Sequence, residues 1–201
     1  MPGSLISPKH SLSKMRMAAM MILLLLTACA STAGSATKKP EIAVLETNKG
    51  TIEIELDREH APKTVDNFVQ YVNDGFYDGL LFHRVIPQFM IQGGGYENAE
   101  TKRPTRSPIE LESNNGLKNL AGTVAMARTA FAHSATSQFF INTIDNPRLD
   151  YAEDNPGYAV FGKVVAGMDV VKTIEMTQTA DNGLYTDWPV EDIVIERAYM
   201  K

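Results

Sequence analysis

Arg84 and Gln92 stand in a stretch otherwise rich in apolar and aromatic residues, Phe82-His83-Arg84-Val85-Ile86-Pro87-Gln88-Phe89-Met90-Ile91-Gln92, which runs into Gly93-Gly94-Gly95. If Val85–Ile86 and Phe89–Gln92 lie in neighbouring strands, period-two alternation puts Arg84 on the face opposite His83 and Val85. It also gives Met90 and Gln92 a shared face. An apolar patch with a few aimed polar groups and no carboxylate suits the holding of a neutral ligand and the polarisation of one of its bonds. Other chemistries have less support. Ser137 and His83 could be imagined as nucleophile and base, but the chain has no Gly-x-Ser-x-Gly elbow. The glycine triplet lacks the Lys-Ser/Thr of a phosphate loop and is better explained as a turn or bulge. His10, His60, His83 and His133 show no metal-ligand spacing, so no metal is expected.

Strands must position this patch. Ile42 and Val44, then Ile52, Ile54 and Leu56, alternate with polar residues around Thr47-Asn48-Lys49-Gly50, which predicts a hairpin. Pro62 suits the first turn of a helix whose apolar face is Val65, Phe68, Val69 and Val72, with Asp74-Gly75 as its stop. Further strands are predicted at Leu80–Ile86, Phe89–Gly93, Thr123–Ala127, Gln138–Thr143 and Tyr158–Val164. Met168–Met176 offers a second helix with Val171 and Ile174 inward, and Val190–Tyr199 a last strand able to pair with the first. Many strands and two helices point to a mainly β fold, an antiparallel barrel plugged at its ends. At 201 residues the core can stand without staples, and the only cysteine, Cys29, leaves no intrachain disulfide. The net charge of −5 is spread along the chain, and without a Lys/Arg cluster no nucleic-acid partner is expected.

Four blocks together resemble the cyclophilins, the peptidyl-prolyl cis-trans isomerases, in family order across residues 41–201. They are Phe82–Gly94, Gly122–Arg128, Ser134–Ile141, and Val160–Val165 followed by Gly167–Val171. The short connection Thr101–Glu112 and the run Asn115–Asn119 resemble bacterial members. The resemblance implies an eight-stranded antiparallel closed β-barrel capped by two α-helices, with an active groove on its outside. It also implies a monomer that needs no cofactor and acts on Pro-containing unfolded or flexible polypeptides. Arg84 matches the family's arginine and is the expected catalytic donor; its plain alternative is an ion pair on an edge strand. Phe89, Met90, Phe140 and Leu149 match the proline pocket, although core packing is the usual fate of such residues. Strict alternation would separate Phe89 from Met90, so a shared role requires a bend. Gln92 and the backbone of Arg128, with Ala127 beside it, match positions that hold the substrate main chain. Gln138 lies at a groove position or bonds across the barrel lid. His83 orients groove hydrogen bonds or is structural, since an uncharged rotation needs no base. Tyr158 closes the pocket where many eukaryotic relatives carry histidine. Arg148 stands where strongly cyclosporin-binding members carry tryptophan, which implies weak binding of that drug. The alternative function on this fold is a non-catalytic chaperone or scaffold gripping Pro-containing segments; the complete set of groove residues argues for the enzyme.

The N-terminus follows other rules. Lys14 and Arg16 precede Met17–Leu26, an apolar run too short to span a bilayer as a mature helix. Leu26-Thr27-Ala28-Cys29 follows, which has the form of a secretion signal and resembles the bacterial lipobox. Residues before Met15 are superfluous to such a signal, so Met15 or Met17 is an alternative start. The expected organisation is a lipoprotein signal peptide at 1–28, removed on processing, then lipidated Cys29 and a flexible tether to residue 40. The isomerase domain occupies 41–201. Ala30–Pro40 is rich in small residues and cannot contribute to a core. A lipid anchor on Cys29 implies membrane attachment in the cell envelope. Ala30, where bacteria with two membranes often use aspartate to retain a lipoprotein, directs the expectation to the outer membrane, facing the periplasm.

Overall fold

A computed structural model describes Met1, Gly3, and residues 39–183 and 185–201. Cys29, the Met17–Leu26 run and the tether up to residue 38 lie outside the described residues. Residues 39–201 form one compact unit. Strand β1 (Glu41–Thr47) turns through Asn48-Lys49 into β2 (Gly50–Leu56), as the alternation predicts. The Thr47 hydroxyl stabilises the turn, accepting from the Lys49 amide at 3.1 Å and donating to the Gly50 carbonyl at 2.7 Å.

Helix α1 (Pro62–Asn73) starts at its proline with no side-chain cap from the preceding residue. Its first amides are satisfied from a distance instead. Glu112 accepts from the Lys63 and Thr64 amides at 3.1 and 2.8 Å and from the Thr64 hydroxyl at 2.7 Å, placing an anion at the positive end of the helix. Phe68 carries the buried face into the core, where its ring meets those of Tyr77, Phe139 and Phe161 at centroid distances of 5.2, 5.5 and 5.1 Å.

The remaining strands are β3 (Phe82–Ile86), β4 (Met90–Gly93), β5 (Thr123–Met126), β6 (Phe139–Asn142), β7 (Val160–Ala166), the short pair β8 (Thr179–Ala180) and β9 (Trp188–Pro189), and β10 (Ile195–Met200). Helix α2 (Met168–Glu175) buries Val171 and Ile174 as expected, and Glu175 as well. Eight strands form one antiparallel sheet in the order β10-β1-β2-β7-β5-β6-β4-β3.

The expected closed barrel is not formed: the sheet is a curled half-barrel whose ladder does not continue from β3 to β10. The two edges meet where the chain enters them, at the bridge Leu81–Val194, with Phe82 donating to the Ile193 carbonyl, Ile195 to that of Leu80 and Gly79 to that of Ile195. Beyond that point β10 pairs with β1, while the Val85 amide donates to the Asp187 carbonyl at 2.9 Å. A different segment therefore covers the free edge of β3, which blunts it without closure. The last strand also begins later than Val190, at Ile195, because Val190 bonds to Gln178 and residues 193 and 194 supply the edge contacts.

Alternation divides the sheet into two environments. Val85, Ile91, Val124, Met126, Phe139 and Ile141 point into the main core with α1. Met90, Ala125, Phe140 and Val160 form a separate apolar cluster on the other face.

Candidate active site

The outer-face cluster is the floor of a groove of about 240 Å³. Register creates it: Phe140 of β6 lies opposite both Gln92 of β4 and Ala125 of β5, so their side chains share the outer face. Phe140 meets the Tyr158 ring edge-on at 5.5 Å. Tyr158 is held by its amide, which donates to the Leu149 carbonyl at 2.9 Å, and by the Arg128 guanidinium 4.6 Å over its ring. Arg128 Nε donates to the Gly157 carbonyl at 2.8 Å, so this side chain braces the pocket wall. Leu149 ends a 3-10 turn, Pro147–Leu149, and its carbonyl also accepts from Asn119 Nδ2 at 3.0 Å.

Phe89 and Met90 line the same groove despite being adjacent in sequence. The required bend is the Pro87-Gln88 turn: Gln88 has φ of 57° and the Phe89 amide donates to the Ile86 carbonyl at 3.2 Å. That turn is pinned from below. Asn146 Nδ2 and the Thr143 amide both donate to the Phe89 carbonyl, at 2.8 and 3.1 Å, and the Gln88 amide donates to buried Glu175 Oε1 at 2.8 Å. Burial alone would raise the Glu175 pKa; the Lys172 ammonium at 2.8 Å and the Gln88 amide outweigh it and hold the carboxyl below its ordinary range.

At the polar end, Arg84 of β3 lies opposite Gln92 of β4. Arg84 Nη1 is 3.5 Å from Gln92 Oε1, and Gln92 Nε2 donates to Gln138 Oε1 at 2.9 Å. Gly95 leaves space for this chain of amides, since a Cβ there would come within 2.6 Å of Gln138 Nε2. Gly94 turns the chain with φ of +81°, which fits the expected turn after β4. Arg84 also satisfies its plain alternative. It sits on an edge strand with Nε 3.7 Å from Asp187 Oδ2, yet it faces the groove.

Strict alternation fails at one position. The register between β3 and β4 shifts between Phe82 and Arg84, and the extra residue is His83. Phe82 and Val85 both reach the core, while His83 and Arg84 both line the groove, contrary to the opposite faces expected for them. His83 is only 3% exposed, and its Nδ1 lacks a well-formed hydrogen bond. Desolvation, with help from the Arg84 charge, lowers its pKa to about 4, so the imidazole is neutral at pH 7. Ser137 offers it no partnership as a nucleophile, because its buried hydroxyl donates to the Gly94 carbonyl at 2.7 Å.

Every groove residue expected from the sequence therefore lines one cavity: His83, Arg84, Phe89, Met90, Gln92, Ala127, Arg128, Gln138, Phe140, Leu149 and Tyr158. Tyr96 and Tyr185 join them unforeseen. Their hydroxyls bond one another, and burial together with that bond raises the Tyr96 pKa to about 12. With Trp188 they enclose His83, whose ring lies 4.6 Å from Tyr96 and 5.9 Å from Trp188. Tyr96 follows the glycine triplet and could have been suspected from its place; nothing local marks Tyr185. No carboxylate is among the side chains that line the groove, and no group of three or more His, Cys, Asp or Glu could hold a metal among the described residues. No helix among them is long and apolar enough to cross a membrane.

Residues 42–200 match the family model described as cyclophilin type peptidyl-prolyl cis-trans isomerase/CLD. The chain is 50% identical over 187 residues to peptidyl-prolyl cis-trans isomerase A of Dickeya dadantii, covering 93% of this chain and 97% of that protein. It is 49% identical to peptidyl-prolyl cis-trans isomerase B of Escherichia coli, over 77% of this chain and 96% of the relative. Among solved structures, a cyclophilin type isomerase of Cryptosporidium parvum, crystallised in the presence of the dipeptide Ala-Pro, superposes with a TM-score of 0.70 at 26% identity. That match covers 80% of this chain and 98% of the other.

Proposed function

The chain belongs to the cyclophilin-type peptidyl-prolyl cis-trans isomerase family and accelerates rotation about Xaa-Pro bonds, and from that premise we propose that Arg84 is its catalytic donor. The observation that carries this reading is the Arg84 guanidinium at the rim of an apolar pocket floored by Phe140 and Met90, while the second arginine of the lining, Arg128, is committed to the Gly157 carbonyl and the Tyr158 ring. The peptide bond resists rotation by about 18–20 kcal/mol because resonance gives it partial double-bond character. Uncatalysed exchange takes tens to hundreds of seconds, so an ordinary turnover of about 10–1,000 per second requires a barrier lower by roughly 4–7 kcal/mol. As the bond twists, resonance is lost and the prolyl nitrogen regains its lone pair. A donor aimed at that nitrogen binds the twisted state better than either planar one, which is what lowers a barrier. Guanidinium is charged, planar and weakly hydrated, hence suited to such a half-exposed site. Phe89, Met90, Phe140 and Leu149 hold the proline ring. Gln92, Gln138 and the backbone at Ala127–Arg128 hold the flanking main chain. His83, neutral and enclosed, shapes the polar end without moving a proton.

Proline exchange measured by NMR on an Ala-Pro peptide tests this reading. Arg84→Ala should stay folded and bind the peptide, yet lose turnover by about 10²–10³, the usual consequence of removing one transition-state donor. Wild-type exchange rates in the folded variant would refute the role.

The setting is part of the proposal. Cys29 carries lipid, residues 1–28 are removed, and residues 29–40 tether a domain of residues 41–201 that works on polypeptides outside the cytoplasm, at the outer membrane facing the periplasm. The charged flank, short apolar run and small residues before Cys29 support it. Several acyl chains, each methylene worth about 0.8 kcal/mol when buried, would make the attachment stable. Labelled fatty acid should appear on the wild-type protein and not on Cys29→Ser; an unlabelled, soluble mature form would reduce the protein to a secreted isomerase.

A further inference from the structure

We propose that Asp187 is a positioning residue for the reaction, its carboxylate orienting the Arg84 guanidinium towards the groove, an inference that rests on the reading of Arg84 as the donor. The two residues are 103 positions apart and meet because the Asp187 segment covers the free edge of β3. The Val85 amide donates to the Asp187 carbonyl at 2.9 Å, which fixes the Asp187 backbone beside Arg84. The carboxylate then lies with Oδ2 3.7 Å from Arg84 Nε. At a second nitrogen, Gln92 Oε1 is 3.5 Å from Nη1. The planar group is bracketed at two of its three nitrogens, and Nη2 has no protein partner among the described residues.

The bracket has a firm backing. Thr186 Oγ1 donates to Asp187 Oδ2 at 3.2 Å, and the short β8–β9 ladder holds the following Trp188. That indole is buried against Tyr96 and His83, each 5.9 Å away between centroids, while Tyr185 packs 5.2 Å from Tyr96. A flexible arginine on an exposed edge would sample many rotamers. With the carboxylate in place, fewer of them remain, and the entropy is lost before the substrate arrives.

A carboxylate also weakens the positive field that Arg84 presents. Here that effect is the smaller one. The side chains are 40% and 33% exposed and the pair is not in close contact, so water screens the attraction to the level of a surface pair, about fivefold in rate at most. Losing a well-aimed donor costs about 10²–10³-fold, so even partial misalignment outweighs the field gained by removing the charge.

The test is a double-mutant cycle on the full chain, comparing wild type, Arg84→Ala, Asp187→Ala and the double variant by NMR exchange on an Ala-Pro peptide. Asp187→Ala should lower kcat by about two- to fivefold, the most that a surface pair can bias one rotamer, with KM changed by less than about twofold, because only transition-state geometry is lost. In the Arg84→Ala background the same substitution should have no further effect. Asp187→Glu should recover part of the loss, and the Arg84 Nε–Hε resonance should move in Asp187→Ala alone. An unchanged or raised kcat in Asp187→Ala, with Arg84→Ala impaired, overturns the positioning role and leaves the donor reading intact. An equal loss in both backgrounds also overturns it, since the segment would then act without Arg84. Wild-type rates in Arg84→Ala would remove the donor reading and this inference together.

Discussion

Phe139 and Phe140 are neighbours in β6 with opposite fates. Phe139 faces the interior, fully buried, and touches the rings of Phe68, Tyr77 and Phe82. Phe140 faces outward onto Met90, Ala125 and Val160, a smaller cluster with partly exposed Phe89, Leu149 and Tyr158 around it. The same alternation separates Ile91 from Met90 and Gln92, and Val124 and Met126 from Ala125 and Ala127. One face is covered by a helix and becomes core. The other is apolar but only partly covered, and the open part is the candidate groove. Pocket and core are therefore built from alternate residues of the same strands, and their difference is coverage rather than composition.

Truncating each phenylalanine gives the strongest test of this comparison. Phe139→Ala should cost about 3–5 kcal/mol, measured by denaturant unfolding, because close-packed rings cannot collapse into the space left. Phe140→Ala should cost less stability but greatly weaken binding of Ala-Pro peptides in NMR titration. Equal stability losses with unchanged peptide affinity would erase the distinction between the faces.

The two glycines after β4 sharpen it. Gly94 has φ of +81° and a Cβ there would meet the Ser137 carbonyl at 3.0 Å, so Gly94→Ala should destabilise by about 1–3 kcal/mol. The Cβ of Gly95→Ala would meet the Gln138 side chain instead. It should leave thermal stability nearly intact while displacing Gln138 from Gln92 and lowering peptide affinity.

His83 lies between the two environments, and pH separates them. Its folded pKa of about 4 is below the ordinary 6.5, so the unfolded chain binds the extra proton first. The stability linked to neutral His83 is therefore fully present above pH 6.5 and is lost as pH falls from there through 4. The contribution to the slope is at most about 1.4 kcal/mol per pH unit. His83→Gln should flatten the stability curve in that window relative to wild type; parallel curves would show that the histidine is not kept neutral by the fold. The smallest effect concerns exposed Arg148, on the turn before Leu149. Arg148→Trp should raise cyclosporin affinity without changing proline exchange, since an indole offers an apolar face and one N–H where guanidinium is costly to cover.

Short-range signals made much of this legible in advance. The Thr47–Gly50 turn, the proline-started α1 and the inward Val171 and Ile174 of α2 depend on residues a few positions apart. Alternation in β4, β5 and β6 likewise assigns Met90, Gln92, Ala125, Ala127 and Phe140 to one face, and resemblance of the blocks supplied their roles. The bulge at His83 was not legible, because inserting one residue into a ladder depends on what the partner strand offers, and alternation alone predicts the wrong face. Neither was the bend that unites Phe89 with Met90, which Glu175 and Asn146 pin from elements far along the chain.

By itself, then, the sequence determined which residues could face a core and where the chain turns, since each follows from local periodicity or backbone restriction, while the roles expected of the groove side chains came from the resemblance of the blocks. Tertiary structure alone decided that the barrel stays open and that Asp187 reaches Arg84. It also decided that Tyr185 and Trp188 enclose His83 with Tyr96. These outcomes share one physical reason. They depend on which distant segment covers the free edge of β3, and that choice is a competition among backbone hydrogen bonds and packed rings that no local pattern encodes.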